Sequence, residues 1–418
     1  MRKMKTHPIN DAVTLNIHTD SRFTTIRMSV NLLVPLTEKT ASIYGILPRI
    51  VTRATTEYPD YSALTKKLAD LYGATLDCNV QKLGGYQVIS FIAEGISSRY
   101  AFEKEDMFQE LSALLLSVIT KPLRDSNGLF PREGFLQEKR QILELFESEF
   151  NDKVSYAYKR AEEILFAGLP AGINRYGTKE NVEKLSLSEV SKAWDILLQS
   201  ARFEIFVLGD CKPNPDVFKK IFGSLGTIHT YQLPKFSQGQ LKDVKEEIQS
   251  VQSKLVMGFT VNDHCSLKQD AFKLMSAVYG GTASSKLFLK VREKLSLCYY
   301  CSSSFDANTA TLFVQSGVET QNLAKARAAI LEQLDEIKKA AISVEEIQAA
   351  KLAMRHSYYS VQDSLSATEY WYLTQVFRDE VKTPEEAIES IENLTKDEVA
   401  AAANQLILNT VYTLKGNE

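Results

Sequence analysis

The strongest constraint on how this chain folds is that its two halves carry the same elements in the same order. Each half opens with an apolar strand, at residues 26–34 and 255–261, followed by a helix. A longer stretch of partial apolar–polar alternation comes next, at 75–93 and 297–318, and predicts a β-hairpin. The turns are Gly84-Gly85 in the first copy and Asp306-Ala307-Asn308 in the second. Amphipathic helices then match at 105–119 and 322–337, and longer ones at 132–150 and 344–361. The closing segments agree most closely, Leu185-Ser186-Leu187-Ser188-Glu189-Val190 against Leu394-Thr395-Lys396-Asp397-Glu398-Val399. Ser186 with Glu189, Thr395 with Glu398 and Ser343 with Glu346 have capping-box spacing. The closing helix of each half leads into a last strand, 203–208 or 411–414. A duplicated unit of helices and strands, fold class α+β, explains every match with one plan used twice.

A chain of 418 residues exceeds one ordinary domain, and 44% apolar with 24% charged residues is globular composition. We expect an N-terminal domain at 1–228, a linker at 229–248 and a C-terminal domain at 249–418. The linker holds Pro234, Gly239 and a charged stretch from Lys242 to Glu247, which suits an exposed connection. A net charge of −3 supplies no basic field for nucleic acid or anionic lipid. The basic start, Met1 to Lys5, leads into Asn10-Asp11 rather than an apolar run, so no secretory signal is expected. The greasiest run, Leu111 to Ile119, is shorter than the roughly 20 residues that cross a bilayer. Five cysteines in a chain of this size argue for a reducing compartment, and the expectation is a cytoplasmic protein. Cys298 and Cys301 form a CxxC, but in a regular strand positions three apart face opposite sides, so neither a redox nor a zinc role is expected of them.

Two segments carry chemistry. In the first half, Gly45-Ile46-Leu47-Pro48-Arg49 leads into Arg53-Ala54-Thr55 and on to Leu71-Tyr72-Gly73-Ala74. In the second, Gly280-Gly281 is followed by Ser284-Ser285-Lys286-Leu287-Phe288 and then by Val291-Arg292-Glu293-Lys294-Leu295-Ser296-Leu297-Cys298-Tyr299. Both segments, and Pro170-Ala171-Gly172 with Gly177, resemble the pitrilysin and mitochondrial processing peptidase family, nearest its YmfF-like bacterial group. Lys286 stands in for the family's Arg, Ser296 for a Gly, and Leu169 for a frequent His. The resemblance spans nearly the whole chain and implies two similar domains joined by a linker into a half clamshell.

The same resemblance places Gly45, Pro48 and Arg49 where the family has the His, Glu and His of its HxxEH zinc motif. Gly and Pro cannot ligate a metal, and a permanently charged Arg repels one. A catalytic zinc needs about three protein ligands and an open position for water. No metal is therefore expected in this chain. The third ligand of the family falls within 138–146, at or beside Leu145, with Glu144 adjacent. His7, His18, His229, His264 and His356 include no pair at helical ligand spacing.

The second segment keeps the family's Arg and Tyr, as Arg292 and Tyr299. The resemblance implies that they hold substrate carbonyls and stabilise the oxyanion, which suits a fixed fork of donors and a neutral phenol. A chain with substrate groups and no ligands fits the non-metal subunit of a heterodimeric zinc peptidase, inactive alone. A homologous partner would bring HxxEH and zinc, and a peptide would be the substrate. The resemblance further suggests a link to modification of elongation factor P. Open beside the subunit reading are self-association in place of the heterodimer, a non-catalytic peptide-binding or scaffold relative, and a peptidase active alone with an unrecognised metal site. Tyr370-Trp371-Tyr372, at helical spacing, is expected to be core.

Overall fold

The computed structural model describes residues 4–236, 240–262 and 268–417. Met1 to Lys3, Gly239, His264 and Cys265 lie outside the described residues. The first half builds β1 (Lys5–Asn10), β2 (Val13–Thr19), β3 (Thr25–Pro35), β4 (Thr75–Leu83), β5 (Tyr86–Ile96) and β6 (Arg202–Gly209). The second builds β7 (Lys242–Gln249), β8 (Gln252–Val261), β9 (Cys298–Asp306), β10 (Thr311–Glu319) and β11 (Leu406–Asn417). Helices of the first half that matter below are α1 (Ala41–Val51), α2 (Tyr61–Asp70), α3 (Met107–Thr120), α4 (Arg132–Ser148) and α5 (Lys153–Leu165).

The two sheets run β1-β2-β6-β3-β5-β4 and β7-β11-β8-β10-β9. With β1 set aside, the orders match strand for strand and in sense. The β2–β6 and β7–β11 pairs are parallel, while the pairs that follow are antiparallel in both sheets. The α+β duplication read from the sequence is thus repeated at the level of strand pairing.

One expectation is corrected here. Lys242 to Gln249 is not an exposed connection but β7, the counterpart of β2. Val244, Glu246 and Ile248 turn inward in alternation with exposed Lys245 and Glu247, and the inward carboxylate of Glu246 is taken up by Arg160 and Tyr156 of α5. Charge hid a period-two pattern.

A second correction concerns the contiguous halves. The chain divides into one compact unit of residues 1–147, 173–232 and 364–381, and another of 148–172, 233–363 and 382–418. Each unit therefore includes a segment from the opposite half of the sequence. The cause lies in the central strands, which are apolar on both faces and need a cover on each. In the first sheet, Met28, Val30, Leu32, Ile205 and Val207 face the main core, while Leu33, Phe206 and Leu208 face the other side and are covered by Leu365, Tyr372 and Leu373 of helix Leu365–Leu373. In the second sheet, Leu255, Met257 and Phe259 face the main core, and Val256, Tyr412 and Leu414 meet Ala157, Ala161 and Leu165 of α5. Both covering helices follow the long helix of their half, so the exchange obeys the repeat. Each fully buried large side chain contributes about 2 kcal/mol. Tyr372 is core as expected, whereas Tyr370 is 58% exposed.

Helix Leu365–Leu373 is also fixed by polar contacts. The buried carboxylate of Glu369 accepts hydrogen bonds from Arg27 Nε at 2.6 Å and Ser29 Oγ at 2.5 Å. An unpaired buried carboxylate would be costly, so these bonds specify where the helix seats.

The β9–β10 ladder departs from regularity at one place. Gly317 pairs with Tyr300, but Val318 pairs with Cys298, leaving Tyr299 as the extra residue of a β-bulge. The expectation that Cys298 and Cys301 face opposite sides assumed an unbroken strand, and the bulge removes that assumption.

Candidate functional site

The positions Gly45, Pro48 and Arg49 lie on α1, whose Ile46, Leu47, Ile50 and Val51 are buried against the main core of the first unit. Pro48 lacks the N–H that would continue the helix ladder to Tyr44, while its own carbonyl accepts from both the Thr52 N–H at 3.2 Å and the Thr52 hydroxyl at 2.8 Å. The next helix face over is α4, from which Glu138 is turned inward with 4% of its surface exposed.

Arg49, in the last turn of α1, and Arg53, just past its end, both meet that carboxylate. Arg53 donates at 2.6 Å and Arg49 stands 3.5 Å away while bonding Gln141 at 3.0 Å. Two guanidinium groups thus share one buried carboxylate as an ion-pair cluster. Leu145 lies two turns beyond Glu138 on the same groove wall, whereas Glu144 is exposed and pairs with Arg140. The carboxylate that meets Arg49 is thus Glu138 rather than Glu144, and it is already paired with Arg53 as well.

Gly45 closes the site sterically. A Cβ there would stand 2.9 Å from Tyr176 Cδ1 and 3.1 Å from the Arg175 carbonyl oxygen. That turn is clamped onto α1, since Gln87 Nε2 donates to both the Ala41 and Arg175 carbonyls at 3.0 and 2.6 Å, and the Ser42 hydroxyl donates to the Tyr176 carbonyl at 2.9 Å. Gly177 is held at a φ of 70°, against the Ser42 hydroxyl. The clamp residues Ser42 and Gln87 and the inward Glu138 carry no local sequence signal, because their roles depend on partners 46 to 134 positions away for the clamp and 85 for the ion pair. The residues present do not fit a zinc ion. Among the described residues no group of three His, Cys, Asp or Glu side chains is placed to hold a metal.

What the first unit does offer is an open groove of about 840 Å³ beside edge strand β4. Leu76 to Val80 form one wall, and Arg49, Arg53 and Arg175 with Glu138 lie along it.

In the second unit, Arg292 sits on the π-helical turn Leu287–Lys294. Leu287 and Val291 anchor the turn in the core, and Lys286 at its N-terminal edge is 4% exposed between Glu336 at 3.2 Å and Glu346 at 3.0 Å. The buried Lys286 acts as a structural cation that pins the turn. Gly280, just before, has no room for a Cβ, which would fall 2.6 Å from the Ser303 amide nitrogen. Ser296 adopts a φ of 50°, the conformation that a Gly takes without strain.

Arg292 and Tyr299 are brought together. Arg292 Nε donates to the Tyr299 carbonyl at 2.9 Å, its guanidinium lies 4.6 Å over the Phe288 ring, and the Tyr299 hydroxyl donates to Glu319 at 3.3 Å. Both side chains reach solvent, at 38% and 51% exposure. The bonds that orient them are long or to exposed partners, so they fix direction without consuming every donor.

Residues 184–354 match the family model described as Peptidase M16 inactive domain. The chain is 26% identical over 414 residues to the probable inactive metalloprotease YmfF of Bacillus subtilis, covering 97% of this chain and 96% of that protein. It is 23% identical over 303 residues to the non-peptidase homolog YmxG of Helicobacter pylori, covering 68% of each. Among solved structures, a conserved protein from Enterococcus faecalis aligns with a TM-score of 0.88 at 25% identity over 99% of both chains. A peptidase M16 inactive domain from Pseudomonas fluorescens aligns at 0.79 and 16% identity, over 99% of this chain and 98% of that one. These likenesses agree in kind: the chain is similar over nearly its whole length to peptidase M16 relatives described as inactive.

Proposed function

We propose that this chain is the non-metal subunit of a cytoplasmic two-subunit zinc peptidase, in which a homologous partner carries HxxEH and the zinc. This chain supplies Arg292 and Tyr299 to hold the backbone of an extended peptide and to stabilise the oxyanion as it forms. The observation that carries the reading is an asymmetry within one molecule. The positions that the resemblance aligns with the zinc motif lie at an ion-pair cluster under a clamped turn, while Arg292 and Tyr299 are adjacent, oriented and open to solvent. Guanidinium and phenol groups are strong donors to a developing oxyanion, and losing one such donor costs about a hundredfold in rate. The alternative, a peptide-binding relative that cleaves nothing, is favoured by the groove beside β4, which needs no partner to receive a peptide strand.

The test is to combine this chain with a homologue bearing an intact HxxEH and to measure cleavage of unfolded peptides, with segments of elongation factor P among the first tried. Arg292→Ala or Tyr299→Phe is expected to lower kcat by about a hundredfold while the subunits still associate. Cleavage unaffected by both variants, or no cleavage by the pair, would leave the binding reading in its place.

A further inference from the structure

The bulge in β9 creates a second chemical feature that the peptidase reading does not use. Regular alternation would send Cys298 and Cys301 to opposite faces, but one extra residue reverses the facing of everything before it. With Tyr299 as the extra residue, Cys298 turns to the face of Cys301. Ser316 stands opposite Cys301 on β10, its hydroxyl donating to the Tyr300 carbonyl at 2.9 Å. Cys301 belongs to the main core of the second unit, and Cys298 packs against that same core. Cys301 is buried and Cys298 half-buried, with neither in a disulfide.

The two thiols differ in acidity. The Cys301 side chain is the largest influence on Cys298 and outweighs burial; with Ser316 and the charge of Arg292 it brings the Cys298 pKa down to about 7. That same coupling, with burial, pushes Cys301 well up. At neutral pH one sulfur is available as a thiolate beside a protonated neighbour.

We propose that Cys298 and Cys301 form a peroxide-oxidisable dithiol, with Cys298 the attacking sulfur and Cys301 the resolving one. The Cys298 thiolate attacks one oxygen of hydrogen peroxide and the O–O bond breaks. The sulfur is oxidised to a sulfenic acid, and the departing hydroxide takes a proton to become water. The Cys301 thiol then loses its proton as its sulfur attacks the sulfenic sulfur, and the S–O bond breaks with release of a second water. In sum, two thiols and one hydrogen peroxide give one disulfide and two waters. Closure draws in only the first residues of β9, because Cys298 begins the strand and follows the left-handed turn at Ser296. Tyr299, whose carbonyl holds Arg292, lies inside the closed ring.

The full chain, reduced and desalted at pH 7, would be treated with hydrogen peroxide, alkylated and mapped by peptide mass spectrometry. The expected product is a peptide spanning 298–301 that has lost two hydrogens and regains them with dithiothreitol. In the untreated protein, iodoacetamide should label Cys298 about tenfold faster than half-buried Cys78, whose thiol burial pushes up. Cys301→Ser should leave a sulfenic acid on Cys298 that dimedone traps. Labelling of Cys298 no faster than Cys78, or peroxide driving wild-type Cys298 to sulfinic acid without the linkage, would overturn the proposal. The wild-type mapping is decisive even if a variant folds poorly.

Discussion

At Gly45 there is no room for a Cβ. The turn at Arg175–Tyr176 occupies the volume that a longer side chain on α1 would need, and Ser42 and Gln87 fasten it there. Restoring the motif letters alone should therefore fail. In Gly45→His, Pro48→Glu, Arg49→His, the new imidazole collides with Tyr176, and Arg53 still claims the Glu138 carboxylate at 2.6 Å. Overpacking of this kind costs about 1–3 kcal/mol. We expect the triple variant to unfold at lower urea than the parent and to bind no stoichiometric zinc in equilibrium dialysis. Tight, stoichiometric zinc in a fully stable variant would show that the clamp yields and that the site was lost by its letters only. What was legible in the sequence is the chemistry of the three residues, since Gly and Pro cannot ligate and a charged Arg repels a metal. The clamp was not, because it is assembled from residues whose partners are distant in the chain.

Short elements show the same divide between local and distant causes. The capping boxes at Ser186, Ser343 and Thr395 were legible because both partners lie three residues apart, and each closes as expected. The turn between the π-helical segment and β9 was legible as a departure, Ser296 where the family carries Gly, and its φ of 50° explains the pattern. Left-handed backbone at a residue with a Cβ costs about 1 kcal/mol. Ser296→Gly should raise stability by about that amount in urea denaturation, and a loss of stability would mean that the Ser hydroxyl matters more than the backbone. Helix Gln269–Ser276 gives a pH-dependent counterpart. Burial opposes ionisation of Asp270, yet the charge of Lys273 and the bonds from Lys382 at 2.8 Å and Ser390 at 2.8 Å hold its carboxyl below the ordinary range. A lowered folded-state pKa means that the carboxylate stabilises the fold above the unfolded pKa of about 4, and that this is lost as pH falls through the folded value. Wild type should therefore exceed Asp270→Asn by about 1–2 kcal/mol at pH 7, with the gap shrinking below about pH 4. A gap that stays constant down to pH 3 would remove Asp270 from this account.

For the molecule as a whole, the duplication in the sequence gives the strand order but conceals which helix covers which sheet. Composition and periodicity place a connection near 229–248, and cutting there should yield two autonomous domains if each half encloses its own core. The structure assigns residues 148–172 to the second compact unit and 364–381 to the first. Without the partner half, a 1–228 fragment loses the helix that covers Leu33, Phe206 and Leu208 and leaves the Arg27 guanidinium without Glu369. A 249–418 fragment loses α5 over Val256, Tyr412 and Leu414, together with β7 alongside β11. Either fragment exposes a contiguous apolar sheet face, a surface that soluble monomers rarely leave open. Expressed separately, fragments 1–240 and 241–418 are expected to be insoluble or to lack a cooperative thermal transition. Expressed together, they should co-purify and unfold in one transition, because each supplies the helix that the other needs. A soluble 241–418 fragment with a sharp transition of its own would show that covering the second sheet with α5 is dispensable, and the exchange would then be an ornament of the fold rather than its condition.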